Sequence, residues 1–179
     1  MKVRNIALIG FRATGKTAVG KILAEALDRI FIDMDQHLTA SAGREIACWV
    51  RLDGWGSFRR AEAELLEALG SRKGLVVATG GGVVLAPENR KVLGRDFITV
   101  WLKADLATIH SRILADPASG TNRPPLSDLP MDEEVRKLMA EREPLYAGAA
   151  DFEIDTEGGT PAENAEKIRR LLSNINSQA

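Results

Sequence analysis

Eight residues near the start of the chain, Gly10 to Thr17, have the types and spacing of a phosphate-binding loop, G-x-x-x-x-G-K-[ST]. The loop follows the apolar run Asn5–Ile9 and precedes residues with helical spacing, which is the context such loops require. Glycines let backbone N–H groups converge on phosphate oxygens, and Lys16 supplies a cation for the β- and γ-phosphates. The pattern therefore predicts binding of ATP or GTP. We expect the nucleotide to contact Gly10, Ala13, Thr14, Gly15, Lys16, Thr17 and Ala18.

Two aspartates at the end of the apolar run Ile30–Asp33 are candidates for metal and acceptor chemistry. Many phosphate-loop kinases support Mg²⁺ with an aspartate at the end of the strand beside the loop, but the run Leu75–Ala78 leads into Thr79 and has no acid there. We therefore assign Asp33 to the Mg²⁺ shell, with an N-cap of the next helix as its alternative role. Asp35 could orient a hydroxyl nucleophile and take its proton, although Asp-x-Asp also occurs in solvated turns.

Three consecutive glycines, Gly80, Gly81 and Gly82, follow the run Leu75–Ala78. Glycine loses more backbone entropy on folding than any other residue, so three in succession predict that something approaches the backbone closely. A substrate edge or a phosphate bound by exposed N–H groups fits this requirement, and a flexible loop is the alternative. We expect all three glycines to contact substrate.

Arginines in two helical segments could hold a carboxylate. Arg59 is followed three residues later by Glu62, and Arg142 lies near the end of another helical segment. Either arginine alone is typical of a solvated surface, but the two together would form a bidentate carboxylate clamp, with Glu62 fixing Arg59. Another arginine, Arg123, lies in a stretch at about 115–130 that is rich in Pro, Gly and Ser. This composition predicts a mobile loop from which Arg123 could reach the β- and γ-phosphates.

These residues need a scaffold, and the chain predicts an α/β fold with a parallel sheet covered by helices on both faces. The apolar, β-rich runs alternate with segments of helical spacing. The runs are Asn5–Ile9, Ile30–Asp33, Leu75–Ala78, Phe97–Leu102 and Phe152–Asp155. Ligands bind at the carboxyl ends of such strands, so the phosphate loop, the aspartates and the glycine triplet should share one rim. The segment at about 35–70 is too long for a simple crossover and predicts two or three helices over that rim.

The length, net charge and cysteine content of the chain exclude several classes of protein. A chain of 179 residues fits one domain, and its formal net charge of −1 does not indicate nucleic acid or an anionic membrane as a partner. Its single cysteine, Cys48, excludes an intrachain disulfide, and no apolar run is long enough to span a bilayer. The N-terminus enters a strand directly and leaves no room for a signal peptide. We expect a cytoplasmic protein, and we expect it to be a monomer.

In their order along the chain, these motifs resemble those of the shikimate kinase family, and the resemblance covers almost the whole sequence. The matching elements are Gly10–Thr17, Asp33-Met34-Asp35, Phe58-Arg59-Arg60, Gly80-Gly81-Gly82, the segment around Arg123-Pro124, and Arg142-x-Pro144-Leu145-Tyr146. The family transfers the γ-phosphate of ATP to the 3-hydroxyl of shikimate, in the route to chorismate and the aromatic amino acids.

The resemblance implies a role for each residue on the acceptor side. Asp35 would bind the ring hydroxyl and assist its deprotonation. Arg59 and Arg142 would bind the shikimate carboxylate, and Gly81 would contact the substrate through its backbone.

On the nucleotide side, the resemblance implies that Thr17 ligates Mg²⁺ with support from Asp33. Arg112 would stack on the adenine, and Arg123 would contact the phosphates from a lid. The implied fold is a three-layer phosphate-loop kinase with a five-stranded parallel sheet of order 2-3-1-4-5. A small helical insertion would bind the acceptor.

The chain departs from the family pattern at two positions. Ala13 occupies a position where the family usually has glycine, so we expect its backbone to have a φ that alanine tolerates. Trp55 occupies a position where an acidic residue is common, which puts the local packing of the helical insertion in doubt.

Two other functions stay open on the sequence. Another small phosphate-loop kinase, such as a gluconate kinase, would share the loop and the lid, and gluconate also has a carboxylate. A nucleotide-binding module without acceptor chemistry is a different class, but it would need neither Asp35 nor the two arginines. The chain also lacks an Asn-Lys-x-Asp guanine motif.

Overall fold

The computed structural model describes residues 4–115 and 130–177. Five strands form the sheet: β1 Asn5–Ile9, β2 Ile30–Asp33, β3 Leu75–Ala78, β4 Phe97–Lys103 and β5 Phe152–Asp155. All are parallel, and their order across the sheet is β2-β3-β1-β4-β5, which confirms the expected topology. Only β4 differs from its expected bounds, because it continues one residue further.

Helices cover both faces of the sheet. Within the described residues they are α1 Lys16–Ala26, α2 Met34–Ala42, α3 Ile46–Gly70, α4 Pro87–Asp96, α5 Leu106–Ala115, α6 Met131–Ala149 and α7 Pro161–Ser177. Alternate side chains of β1 point to opposite faces. Ile6 and Leu8 pack in the core with α1 and α7, whereas Ala7 and Ile9 pack in the core with α3, α4 and α6. Burial on both faces explains why the strands are continuous apolar runs.

The segment predicted as two or three helices contains α2 and a broken α3. Asp33 caps α2, since its Oδ1 accepts a hydrogen bond of 3.2 Å from the Gln36 amide. Inside α3, Gly54 has φ 77° and ψ 162°, which interrupts the helix. Glycine adopts a positive φ without steric cost, so the chain changes direction here. The second part of α3 then carries Arg59 and Glu62 across the carboxyl end of β3.

Most of the stretch predicted as a mobile loop, including Arg123, lies outside the described residues. In the part of the chain that is described, no helix combines the length and the apolar character needed to cross a bilayer.

Ala13 corrects an expectation from the sequence. Its φ is 61°, in the left-handed region that favours glycine, so the expectation of a φ that suits alanine is wrong. A Cβ in this region crowds the neighbouring backbone and costs roughly 1–2 kcal/mol. The loop adopts the conformation nevertheless, because its amides must converge on one point.

We expect Ala13→Gly to raise the free energy of unfolding by about 0.5–1 kcal/mol. The free energy gained by removing the Cβ strain exceeds the free energy lost because glycine makes the unfolded chain more flexible. Urea denaturation would measure the change. Ala140→Gly, at an exposed position inside α6, is the matched control and should lower stability by about 1 kcal/mol. A loss of stability in both variants would contradict a strained Ala13.

Candidate active site

The phosphate loop joins β1 to α1 and forms an anion site. The Lys16 side chain is 9% exposed, and its Nζ donates to the carbonyls of Gly10 at 2.9 Å and Phe11 at 2.7 Å. Gly15 precedes α1 with φ 89° and provides no side-chain cap. The first amides of α1 are therefore left for a ligand, and the helix dipole favours an anion there. This end of the sheet is suited to bind polyphosphate.

Thr17 and Asp33 lie together beside this loop. The Thr17 hydroxyl donates to Asp33 Oδ2 at 2.6 Å, so Asp33 serves both as the N-cap of α2 and as the partner of Thr17. A hydroxyl and a carboxylate are the hard oxygen donors that Mg²⁺ prefers, and Mg²⁺ usually takes its other ligands from water and phosphates. No cluster of three or more acidic, histidine or cysteine side chains suitable for a metal occurs among the described residues. The pair fits a nucleotide-bound Mg²⁺ better than a metal held by protein alone.

A cavity opens next to the phosphate loop. It collects residues from the loop, α2, α3, the glycine triplet and α6. The lining residues are Phe11, Arg12, Asp35, Ile46, Trp55, Phe58, Arg59, Glu62, Gly80, Gly81, Gly82 and Arg142. Every predicted acceptor-binding residue is among them. We call this space the acceptor cavity.

Arg59 is fixed at the wall of the acceptor cavity. Its Nη1 donates to Glu62 Oε2 at 2.6 Å, and its guanidinium lies 5.1 Å from the Trp55 ring centre and 5.4 Å from that of Phe58. Trp55 thus contributes a cation–π contact at the position where an acid is common. Burial raises the pKa of Glu62 above its ordinary value, and the ion pair with Arg59 opposes that shift. The predicted support of Arg59 by Glu62 is present in the structure.

Arg142, from α6, also lines the acceptor cavity. The residue is only 6% exposed, and its Nη1 donates to the Gly81 carbonyl at 3.2 Å. Its buried Nε has no hydrogen-bond partner, and no ion pair joins Arg142 to an acid among the described residues. Glu62 acts on this buried charge at longer range and forms no ion pair with it, so the guanidinium favours an anionic ligand.

Side chains pack directly against Gly80 and Gly82, whereas Gly81 has room for a Cβ. A Cβ added at Gly80 would lie 2.5 Å from Glu62 Oε1 and 3.0 Å from Asp35 Oδ1, and one added at Gly82 would collide with the Arg59 guanidinium. Only glycine therefore lets both carboxylates and Arg59 pack against this loop. The same contacts place Asp35 within the acceptor cavity, at the start of α2.

Arg112 lies at the other end of the phosphate loop. Its guanidinium donates to the Ala13 carbonyl at 3.3 Å and to the Thr156 carbonyl at 2.9 Å. It thus joins the loop to the segment after β5. Arg123, the remaining predicted contact, lies outside the described residues.

Sequence reasoning missed two residues of this region. Arg12, from the phosphate loop, lines the acceptor cavity and lies 3.5 Å from Glu134 of α6 in a largely buried ion pair. The loop motif leaves this position open, so nothing in the sequence marks it. Tyr146 belongs to the quoted motif but received no role. It follows Arg142 by four residues, which is the spacing of neighbours on one helix face.

Comparisons with known proteins agree with this geometry. The family model described as shikimate kinase matches residues 12–173. A protein of Thermodesulfovibrio yellowstonii called shikimate kinase is 43% identical over 166 residues, covering 93% of each chain. A protein of Escherichia fergusonii called shikimate kinase 2 is 38% identical over 97% of this chain and 94% of its own. The solved shikimate kinase from Acinetobacter baumannii in complex with shikimate aligns with a TM-score of 0.89 and 36% identity, covering 96% of this chain and 94% of that one.

Proposed function

The chain belongs to the shikimate kinase family, and on that premise we propose how its own residues transfer the γ-phosphoryl group of ATP to the 3-hydroxyl of shikimate. The activity is that of an ATP-dependent kinase acting on shikimate, with shikimate 3-phosphate and ADP as products. The residue roles below are our proposal.

In the acceptor cavity, shikimate is bound through its carboxylate and through its reacting hydroxyl. Arg59 and Arg142 hold the carboxylate, and the backbone of Gly80–Gly82 donates to the same end. The reacting hydroxyl lies against Asp35, which orients it and accepts its proton as the oxygen attacks the γ-phosphorus. The bond between that phosphorus and the bridging oxygen breaks, and ADP leaves.

The nucleotide side keeps the phosphates in line with that hydroxyl. Lys16 and the amides at the start of α1 bind the β- and γ-phosphates and stabilise charge that develops during transfer. Thr17, backed by Asp33, would ligate Mg²⁺, which neutralises phosphate charge when bound. Arg112 would contact the adenine. The proposal also assigns phosphate contacts to Arg123, which is outside the described residues.

The observation that carries this proposal is the buried guanidinium of Arg142. No ion pair joins it to an acid among the described residues, and it lines a cavity that also contains Arg59 and Asp35. A cavity lined by two guanidinium groups and a carboxylate matches a small acid that carries a hydroxyl. A nucleotide-binding module without an acceptor would not need this arrangement.

We also propose that the enzyme works as a monomer in the cytoplasm, without nucleic acid or a membrane as a partner. The acceptor cavity and the phosphate loop are built by one chain, which supports the first point. The formal net charge of −1 gives no electrostatic attraction to nucleic acid or to an anionic membrane.

A steady-state assay of ADP release with ATP, Mg²⁺ and shikimate tests the function, with gluconate as the competing acceptor. We expect turnover with shikimate and none above background with gluconate. Arg142→Ala should raise the KM for shikimate by about 30-fold or more, since loss of one partner of a buried charge pair costs roughly 2–5 kcal/mol. The KM for ATP should change little.

Arg136→Ala is the matched control, because Arg136 is an exposed arginine of the same helix. It should leave both KM values unchanged. Preferred turnover of gluconate by the unmodified enzyme would point to the alternative kinase. An unchanged KM for shikimate in Arg142→Ala would remove the carboxylate clamp from the proposal.

A further inference from the structure

We infer that Tyr146 is a positioning residue for the acceptor: its hydroxyl fixes the Gly81–Gly82 peptide so that the glycine amides stay available to the shikimate carboxylate. The inference rests on the proposed function and adds a residue to it. It starts from the hydrogen bonds of the glycine triplet.

All three carbonyls of the glycine triplet accept hydrogen bonds. Gly80 O accepts from the Val83 amide at 3.1 Å, and Gly82 O accepts from the Leu85 amide at 3.0 Å. Gly81 O differs, because its donors are two side chains of α6: the Tyr146 hydroxyl at 2.5 Å and Arg142 Nη1 at 3.2 Å.

The amides of Gly81 and Gly82, in contrast, have no hydrogen-bond partner among the described residues. In a planar trans peptide the C=O and N–H groups point in opposite directions. Fixing the Gly80 and Gly81 carbonyls therefore also fixes the directions of the next two N–H groups. Both glycines line the acceptor cavity, where two such donors would suit a carboxylate.

Of the two donors on Gly81 O, only Tyr146 has no direct part in the proposed binding of the carboxylate, and its hydroxyl also interacts with the Arg142 side chain. Arg142 must use its guanidinium for the carboxylate in the proposed function, so its bond to the carbonyl competes with substrate binding. Tyr146 is 2% exposed, and its ring stacks on Trp101 with ring centres 5.7 Å apart. Burial raises the pKa of Tyr146 to about 12, so its hydroxyl remains a donor throughout the working pH range.

Without the Tyr146 hydroxyl, Arg142 would be the sole donor to Gly81 O among these contacts. A glycine peptide rotates easily because it has no Cβ. The enzyme would then hold either the loop or the carboxylate with Arg142, but not both equally well. The cost should fall on acceptor binding and leave the nucleotide side untouched.

The test is Tyr146→Phe, which removes the hydroxyl and keeps the ring on Trp101. We expect the KM for shikimate to rise about five- to tenfold, as for loss of one hydrogen bond, with kcat and the KM for ATP within twofold of the unmodified enzyme. With shikimate methyl ester, which lacks the negative charge, the ratio of variant to unmodified KM should fall towards one. Trp101→Phe, which alters the stack and keeps the hydroxyl, should not reproduce this pattern.

Three results would overturn the inference: an unchanged KM for shikimate in Tyr146→Phe, an equal rise with the methyl ester, or the same pattern in Trp101→Phe. If Tyr146→Phe does not fold, the unmodified protein labelled with [15N]glycine decides instead. Shikimate alone should then shift two glycine amide signals that the Mg²⁺–ADP complex leaves in place, and no such shift would refute the inference. Failure of the unmodified enzyme to use shikimate would refute the proposed function, a different outcome.

Discussion

Replacing Lys16 with alanine should lower kcat/KM by at least about a thousandfold, because a cation fixed beside the reacting phosphate in a site shielded from water contributes several kcal/mol to transition-state stabilisation. Lys16 is almost fully buried, and two carbonyls of the phosphate loop hold its ammonium group at the start of α1. Release of ADP in the presence of saturating shikimate would measure the loss.

Two measurements separate loss of this charge from collapse of the loop. Lys21→Ala removes an exposed lysine from the same helix and should keep full activity. In Lys16→Ala, the affinity for shikimate measured by calorimetry should stay within about threefold, since the acceptor cavity is built largely by other elements. Turnover by Lys16→Ala within a few-fold of the unmodified enzyme would contradict the role given to this lysine.

Asp35→Asn should lower kcat by a factor of about 10² to 10⁴ and leave the KM for ATP nearly unchanged. Asparagine has almost the same shape as aspartate and can still bind a hydroxyl, but it cannot take the proton that the attacking oxygen loses. Asp35 Oδ1 packs against Gly80 in the acceptor cavity, so the substitution acts at the acceptor and not at the nucleotide. Initial rates at varied ATP and varied shikimate would resolve the two effects.

The matched control is Asp33→Asn, two residues earlier. Because Asp33 contacts Thr17 beside the phosphate loop, this variant should need more Mg²⁺ and show a higher KM for ATP, with the KM for shikimate little changed. Loss of ATP binding in Asp35→Asn, with normal Mg²⁺ dependence in Asp33→Asn, would show that the two roles must be exchanged.

The phosphate loop and the sheet could be predicted because their information is local. The Gly10–Thr17 motif is contiguous. The strands are buried on both faces, so they are visible in the sequence as continuous apolar runs. The strand order came from the resemblance, which the structure confirms. The conformation of Ala13 could not be read this way, since the loop imposes a φ that opposes the preference of the residue itself.

The acceptor cavity was predicted only as a set of residues. The sequence offered Arg59 and Arg142 as possible partners, but a surface position was equally consistent with each. Burial distinguishes these possibilities. Arg59 forms an ion pair with Glu62, whereas Arg142 forms none with the acids among the described residues. Arg142 is therefore the residue that indicates an anion site.

The sequence by itself determined the order of the strands along the chain, the phosphate loop and the residue types available at the rim, since these depend on neighbouring residues and on their period. The tertiary structure alone decided that Arg142 is buried without an ion pair among the described residues, which side chains pack against positions 80 and 82, and that Tyr146 contacts Gly81. Those properties arise between residues distant in the chain, such as Arg59 with Gly82. Their distances are set by how α3 and α6 pack on the sheet, which no local pattern records.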